Sequence, residues 1–111
     1  MNPREQSDAE FDRLADGELR RLERAFDAFD PDEVEPTIGG DVLTLTLGNG
    51  GKIIINRHRA ARQIWMAAAR QAWHFDHDPA TGQWRAGPDE LWATVERALS
   101  DPLRRPVTLR R

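Results

Sequence analysis

The stretch VLTLTLGNGGKIIIN, residues 42–56, constrains the fold more than any other part of the chain. Leu43, Leu45 and Leu47 alternate with Thr44 and Thr46, the period of two that turns one face of a strand to a core and the other to water. Gly48-Asn49-Gly50-Gly51 offers the positive φ angles of a tight reversal, and Lys52–Asn56 returns as a second strand. An isolated hairpin is marginal in water. This one needs further strands beside it and an apolar surface against its leucine face.

Both are available. Val34–Ile38 reads as a short edge strand, joined to the hairpin through Gly39-Gly40-Asp41. Gln63–Ala67 and Trp73–Asp76 read as the fourth and fifth strands. Asp78–Gly82 is a turn, and Gln83–Arg85 a short sixth strand. At either end of the chain the period lengthens to about 3.6. From Asp8 to Phe29, Phe11, Leu14, Leu19, Leu22, Ala25, Phe26 and Phe29 share one arc of a helical wheel, with Glu18 intruding. Ser7 or Asp8 is the N-cap and Pro31 the stop. Gly87-Pro88-Asp89-Glu90 reads as a second helix start, with Leu91, Trp92, Val95, Ala98 and Leu99 as the buried stripe and Pro102 as its end. The tail Leu103–Arg111 carries Val107 and Leu109, suited to packing back on the domain.

Helix, about six antiparallel strands, helix is the order of an α+β protein. Each helix has one apolar stripe to bury, which a two-layer α–β sandwich satisfies with both helices on one face of the sheet. The other face is left open to solvent. The chain reads as one domain over residues 1–111, with residues 1–7 expected to be flexible.

Charge narrows the function. The net charge is −3, but residues 1–41 hold thirteen acids against five arginines and residues 42–111 six acids against eleven basic residues. An acidic half repels phosphate backbones, so nucleic acid is not the expected ligand. No apolar run approaches the roughly 20 residues of a membrane helix. The N-terminus lacks the apolar and basic regions of a targeting signal, and a bacterial cytoplasm is the expected address. With no cysteine in the chain, thiolate catalysis and thiolate metal sites are excluded, and any metal would be held by oxygen ligands with at most a histidine.

Two constellations remain. Asp12, Asp16, Glu23, Asp27 and Asp30 form a narrow stripe beside the apolar arc of the first helix, and Asp32, Glu33 and Glu35 extend it. Asp12/Asp16 and Glu23/Asp27 are like charges at i,i+4, each pair costing roughly 0.2–0.5 kcal/mol. Such a stripe suits weak binding of hard cations or docking of a basic protein surface; a merely solvated helix face is the bland alternative. The second constellation is Asn56-Arg57-His58 with Gln63-Ile64-Trp65. If Ile64 faces the core, Gln63 and Trp65 lie on the open face, where an accessible tryptophan among amides resembles a binding hot spot. The alternative is a Trp65 covered by the tail or a neighbouring strand. His58, His74 and His77 read as isolated surface histidines. No phosphate loop, Ser/His/Asp set or HExxH motif is present.

The run from Gly39 to Arg57, the motif Gln63-Ile64-Trp65-Met66-Ala67, Trp73-His74-Phe75-Asp76, the opening Glu10–Asp16 and the closing Leu91-Trp92 together resemble the bacterial, CyaY-type members of the frataxin family. The likeness extends over roughly residues 8–110. It implies the sandwich derived above, weakly bound iron (Fe²⁺ or Fe³⁺) on an acidic ridge, and service to iron–sulfur cluster assembly through the cysteine desulfurase and scaffold protein. Ridge candidates carried over are Glu23, Asp27, Asp30 and Asp32, with Asp12 and Asp16 beside them; sheet-surface partners are Asn56, Gln63 and Trp65, with Arg57 adjacent. A binding protein rather than an enzyme is implied, mostly monomeric, with an iron-driven oligomer as a further state. Ferroxidase-like iron oxidation or storage, and a metal-independent acidic adaptor, are the alternatives. Arg24, Val34, Pro36, Ala60 and Gln71-Ala72 depart from the family's pattern, which bears on ridge affinity and loop shape rather than on fold.

Overall fold

Ser7 begins the first helix as its N-cap, its Oγ accepting from the Glu10 N–H at 3.1 Å. The computed structural model describes residues 7–111, so the flexibility expected of residues 1–6 lies outside the described residues. Ser7 itself is engaged. Helix α1 (Asp8–Ala25) buries Phe11, Ala15, Leu19 and Leu22, the stripe its periodicity predicts. It ends four residues before Phe29, the end expected from the sequence. The chain tightens into a 3₁₀ turn over Phe26–Ala28, and Phe29 is extended. Phe26 and Phe29 pack with their rings 5.1 Å apart. Pro31 biases Asp30 away from helical angles.

Seven strands follow: β1 (Val34–Gly39), β2 (Val42–Leu47), β3 (Lys52–His58), β4 (Gln63–Ala68), β5 (Gln71–His77), β6 (Trp84–Ala86) and β7 (Asp89–Glu90). They pair in chain order, each antiparallel to the next. In the central hairpin Leu43 lies opposite Ile55 and Leu45 opposite Ile53. The side chains on one face bury Leu43, Leu45, Leu47, Ile53, Ile55, Ile64, Met66, Phe75 and Trp84 against the helices. Burying each such side chain contributes about 1.5–3 kcal/mol, and the Phe11–Trp84 edge contact at 6.0 Å joins α1 to the far strands.

A seventh strand of two residues joins the about six expected. Gly87, at φ 61°, turns the chain so that Asp89 and Glu90 pair with Ala86 and Arg85. The segment that reads as a helix start is therefore a hairpin turn, and helix α2 (Leu91–Leu103) begins later. Glu90 is its cap, its carboxylate accepting from the N–H groups of Trp92 and Ala93 at 2.9 and 3.2 Å. Pro102 lies within the last turn rather than ending the helix. Arg104, in a left-handed conformation at φ 56°, closes it, and the N–H groups of Arg104 and Arg105 donate to Asp101 and Ser100. The tail returns as expected, with Val107 and Leu109 buried and the Leu109 N–H donating to Glu96 at 2.7 Å.

Candidate functional site

The acids of α1 fall into two groups. Asp8, Asp12 and Asp16 point toward the β3–β4 turn and are paired there. Arg62 meets Asp8 at 2.9 Å, and Arg59 grips Asp12 with two nitrogens, its Nε standing 3.2 Å from Oδ1. Asp16 takes Arg20 from its own helix at 2.9 Å and Arg57 at 3.9 Å. The Arg59 hydrogen bond holds the Asp12 carboxyl below the usual carboxylate range, and Asp12 in turn raises Arg59. Glu18, which seemed to interrupt the apolar arc, is buried between the helices. It accepts from the Trp92 indole N–H at 3.0 Å and pairs with Arg21 at 3.1 Å.

The second group has no arginine. Glu23 is half-buried, while Asp27, Asp30 and Asp32 are exposed, and among the described residues none of the four forms an ion pair. Glu35, exposed on β1, is likewise unpaired, whereas Glu33 meets Arg105 at 3.2 Å. Asp30 shapes the loop: its Oδ1 accepts from the Asp32 N–H at 2.8 Å, an Asx turn that projects both acids outward. The loop is seated on the β2–β3 hairpin, since the Gly48 N–H donates to Glu33 and a Cβ at Gly48 would fall 2.3 Å from the Asp32 carbonyl oxygen. Glu23, Asp27 and their neighbours stand at the C-terminal end of α1, where backbone carbonyls already present partial negative charge. Acids there cost stability and attract cations. Among the described residues no three Asp, Glu or His side chains converge to hold a metal ion.

On the open face of the sheet, Trp65 is half-buried in its own strand layer rather than beneath the tail. His58 stacks on one side of the indole at 3.8 Å and His74 on the other at 4.1 Å, with interplanar angles of 15° and 11°. The indole N–H donates to Gln63 Oε1 at 2.8 Å, and Gln63 donates to Asp76 at 3.0 Å. Asn56 lies directly opposite Trp65 across the strand pair, and exposed Ile54 continues the face. His58 and His74 are therefore not isolated on the surface, since both pack on Trp65. His74 faces Trp65 in the β4–β5 register, a pairing that period-two alternation contains once the hairpin is drawn. Arg57 is the correction here. Like Ile53 and Ile55 it points to the helix face, where it donates to the Asp12 carbonyl oxygen and pairs with Asp41. It serves the α1 junction and not the Trp65 surface.

A groove beneath the C-terminal half of α2, about 1000 Å³ in volume, has Leu47, Ile53, Ala68 and Trp73 among its walls. Asp89 and Arg97 at its rim satisfy each other at 3.0 Å.

Two helices on one face of a seven-stranded antiparallel meander match a known class. The Frataxin-like domain matches residues 4–105, and the chain belongs to the frataxin family. Among solved structures, frataxin of Psychromonas ingrahamii, from the CyaY family, is 28% identical; the match covers 92% of this chain and 96% of that one, with a TM-score of 0.82. The trimeric frataxin of the yeast Saccharomyces cerevisiae, complexed with ferrous iron, is 28% identical over 88% of this chain and 92% of that one, with a TM-score of 0.58.

Proposed function

We propose that this chain is an iron-handling binding protein of the bacterial cytoplasm that serves iron–sulfur cluster assembly. It collects Fe²⁺ or Fe³⁺ weakly and docks on a cysteine desulfurase and its scaffold partner through the C-terminal end of α1 and the loop into β1. The observation that carries this reading is the division of charge: among the described residues Glu23, Asp27, Asp30, Asp32 and Glu35 have no counterion, while Asp8, Asp12 and Asp16 do. Uncompensated carboxylates at a helix C-terminus are retained against a stability cost. Family membership and a ferrous-complexed relative make iron the cation to test. No helix of the described residues is long and apolar enough to cross a membrane, which accords with that address.

Trp65 supplies a second contact surface in this reading. Its indole is already immobilised by His58, His74 and Gln63, so little side-chain freedom remains to be lost on docking. The Glu23→Lys/Asp27→Lys/Asp30→Lys protein should lose desulfurase binding while its circular dichroism is unchanged. Retained binding by a folded triple variant contradicts the proposal. The dispersed arrangement of the acids also favours a metal-independent adaptor over a ferroxidase centre, since oxidation at a defined site needs several converging ligands. Desulfurase affinity that is the same with and without chelator identifies the adaptor; protein-dependent turnover of Fe²⁺ in air identifies the oxidase.

A further inference from the structure

One turn decides which acids at the start of α1 carry an arginine partner. The β3–β4 connection, residues 59–62, is tightly built: the Arg62 N–H donates to the Arg59 carbonyl at 3.0 Å, and the Ala61 N–H donates to His58 Nδ1 at 3.2 Å. Arg62 adopts φ 54° without being glycine, a left-handed conformation that a residue with a Cβ rarely takes. The result of this geometry is to carry Arg59 and Arg62 across to α1, where Arg57 joins them from the end of β3. Each guanidinium lands on a successive turn of the helix, Arg62 on Asp8, Arg59 on Asp12 and Arg57 within 3.9 Å of Asp16.

We propose that the β3–β4 turn is an arginine clamp that withdraws Asp8 and Asp12 from external cations and basic partners, while Arg20 and Arg57 cover Asp16, confining binding to Glu23–Glu35. The inference rests on the cation-binding reading above and deepens it. A single exposed carboxylate offers a divalent cation little. A tethered guanidinium forfeits no translational freedom in pairing with that carboxylate and so outcompetes the cation. An approaching cation also meets the clamp's own positive charge. Asp27, Asp32 and Glu35 have no such competitor. The acidic stripe, continuous in sequence, is thus divided into a structural half and a binding half.

The full-length ¹⁵N-labelled protein titrated with Mn²⁺ tests this through paramagnetic loss of amide cross-peaks. In the wild type, losses should centre on residues 27–35 and spare residues 8–16. In Arg59→Ala/Arg62→Ala, with unchanged circular dichroism, losses should spread to residues 8–16. The single Arg62→Ala, whose ion pair is exposed at the surface, provides the same comparison at Asp8 should the double variant unfold. Wild-type losses at Asp12 equal to those at Asp27, or residues 8–16 left untouched in the folded variants, overturn the clamp. Losses at residues 8–16 in the variants alone, with residues 27–35 silent throughout, support the clamp and sink the cation-binding reading instead.

Discussion

Glu18 joins the two helices through one buried contact. It is only 6% exposed and receives the Trp92 indole N–H seventy-four positions away. Truncation by Glu18→Ala would leave the indole donor buried without an acceptor and strip Arg21 of its counterion, an orphaning that costs about 1–3 kcal/mol. Thermal unfolding should show it as a drop in Tm of roughly 4–8 °C per kcal/mol. An unchanged Tm would mean that the contact is replaced by water at no cost. Gly48 and the histidines beside Trp65 belong to the same scale. The glycine is legible as a turn residue, but its clearance over Asp32 is a tertiary fact. His74 is recoverable from strand register, whereas His58 sits at the strand end, where the turn and not the alternation sets the ring.

Among the elements, the strands were the most legible. Leu43, Leu45, Ile53, Ile55, Ile64 and Phe75 all face the core as alternation requires, because a one-residue slip would expose the whole set. Boundaries governed by tertiary contact were not. Asp89–Glu90 reads as a helix start because proline and acids favour one, yet the Gly87 turn places it on β6. The acidic face of α1 was visible as a stripe, but its division was not, since the arginines that neutralise its first half come from residues 57–62. One of these pairs makes a pH prediction. Arg59 lowers the folded Asp12 pKa below its ordinary value of 3.8. The pair therefore stabilises the fold above that value, and its contribution is lost as pH falls through the depressed folded value. Asp12→Asn should be less stable than the wild type near neutrality, with the gap closing below about pH 4 in denaturant melts. A gap that persists at lower pH would assign the loss to something other than the charge.

For the whole molecule, the uneven charge along the chain becomes an uneven surface. The positive balance of residues 42–111 is partly taken up by Arg57, Arg59, Arg62 and Arg105 pairing with acids of residues 1–41. What remains uncompensated is a patch at the end of α1 and the start of β1, separate from the immobilised aromatic face around Trp65 on β4. A patch of this kind acts chiefly on encounter: it speeds association with an oppositely charged surface and is screened by salt. The association rate with a cysteine desulfurase, measured across an ionic-strength series, addresses this most directly. The account predicts a rate that falls steeply with salt in the wild type and a slow, nearly salt-independent rate in Glu23→Lys/Asp27→Lys/Asp30→Lys. A wild-type rate indifferent to salt, or a triple variant that keeps the wild-type slope, would contradict it.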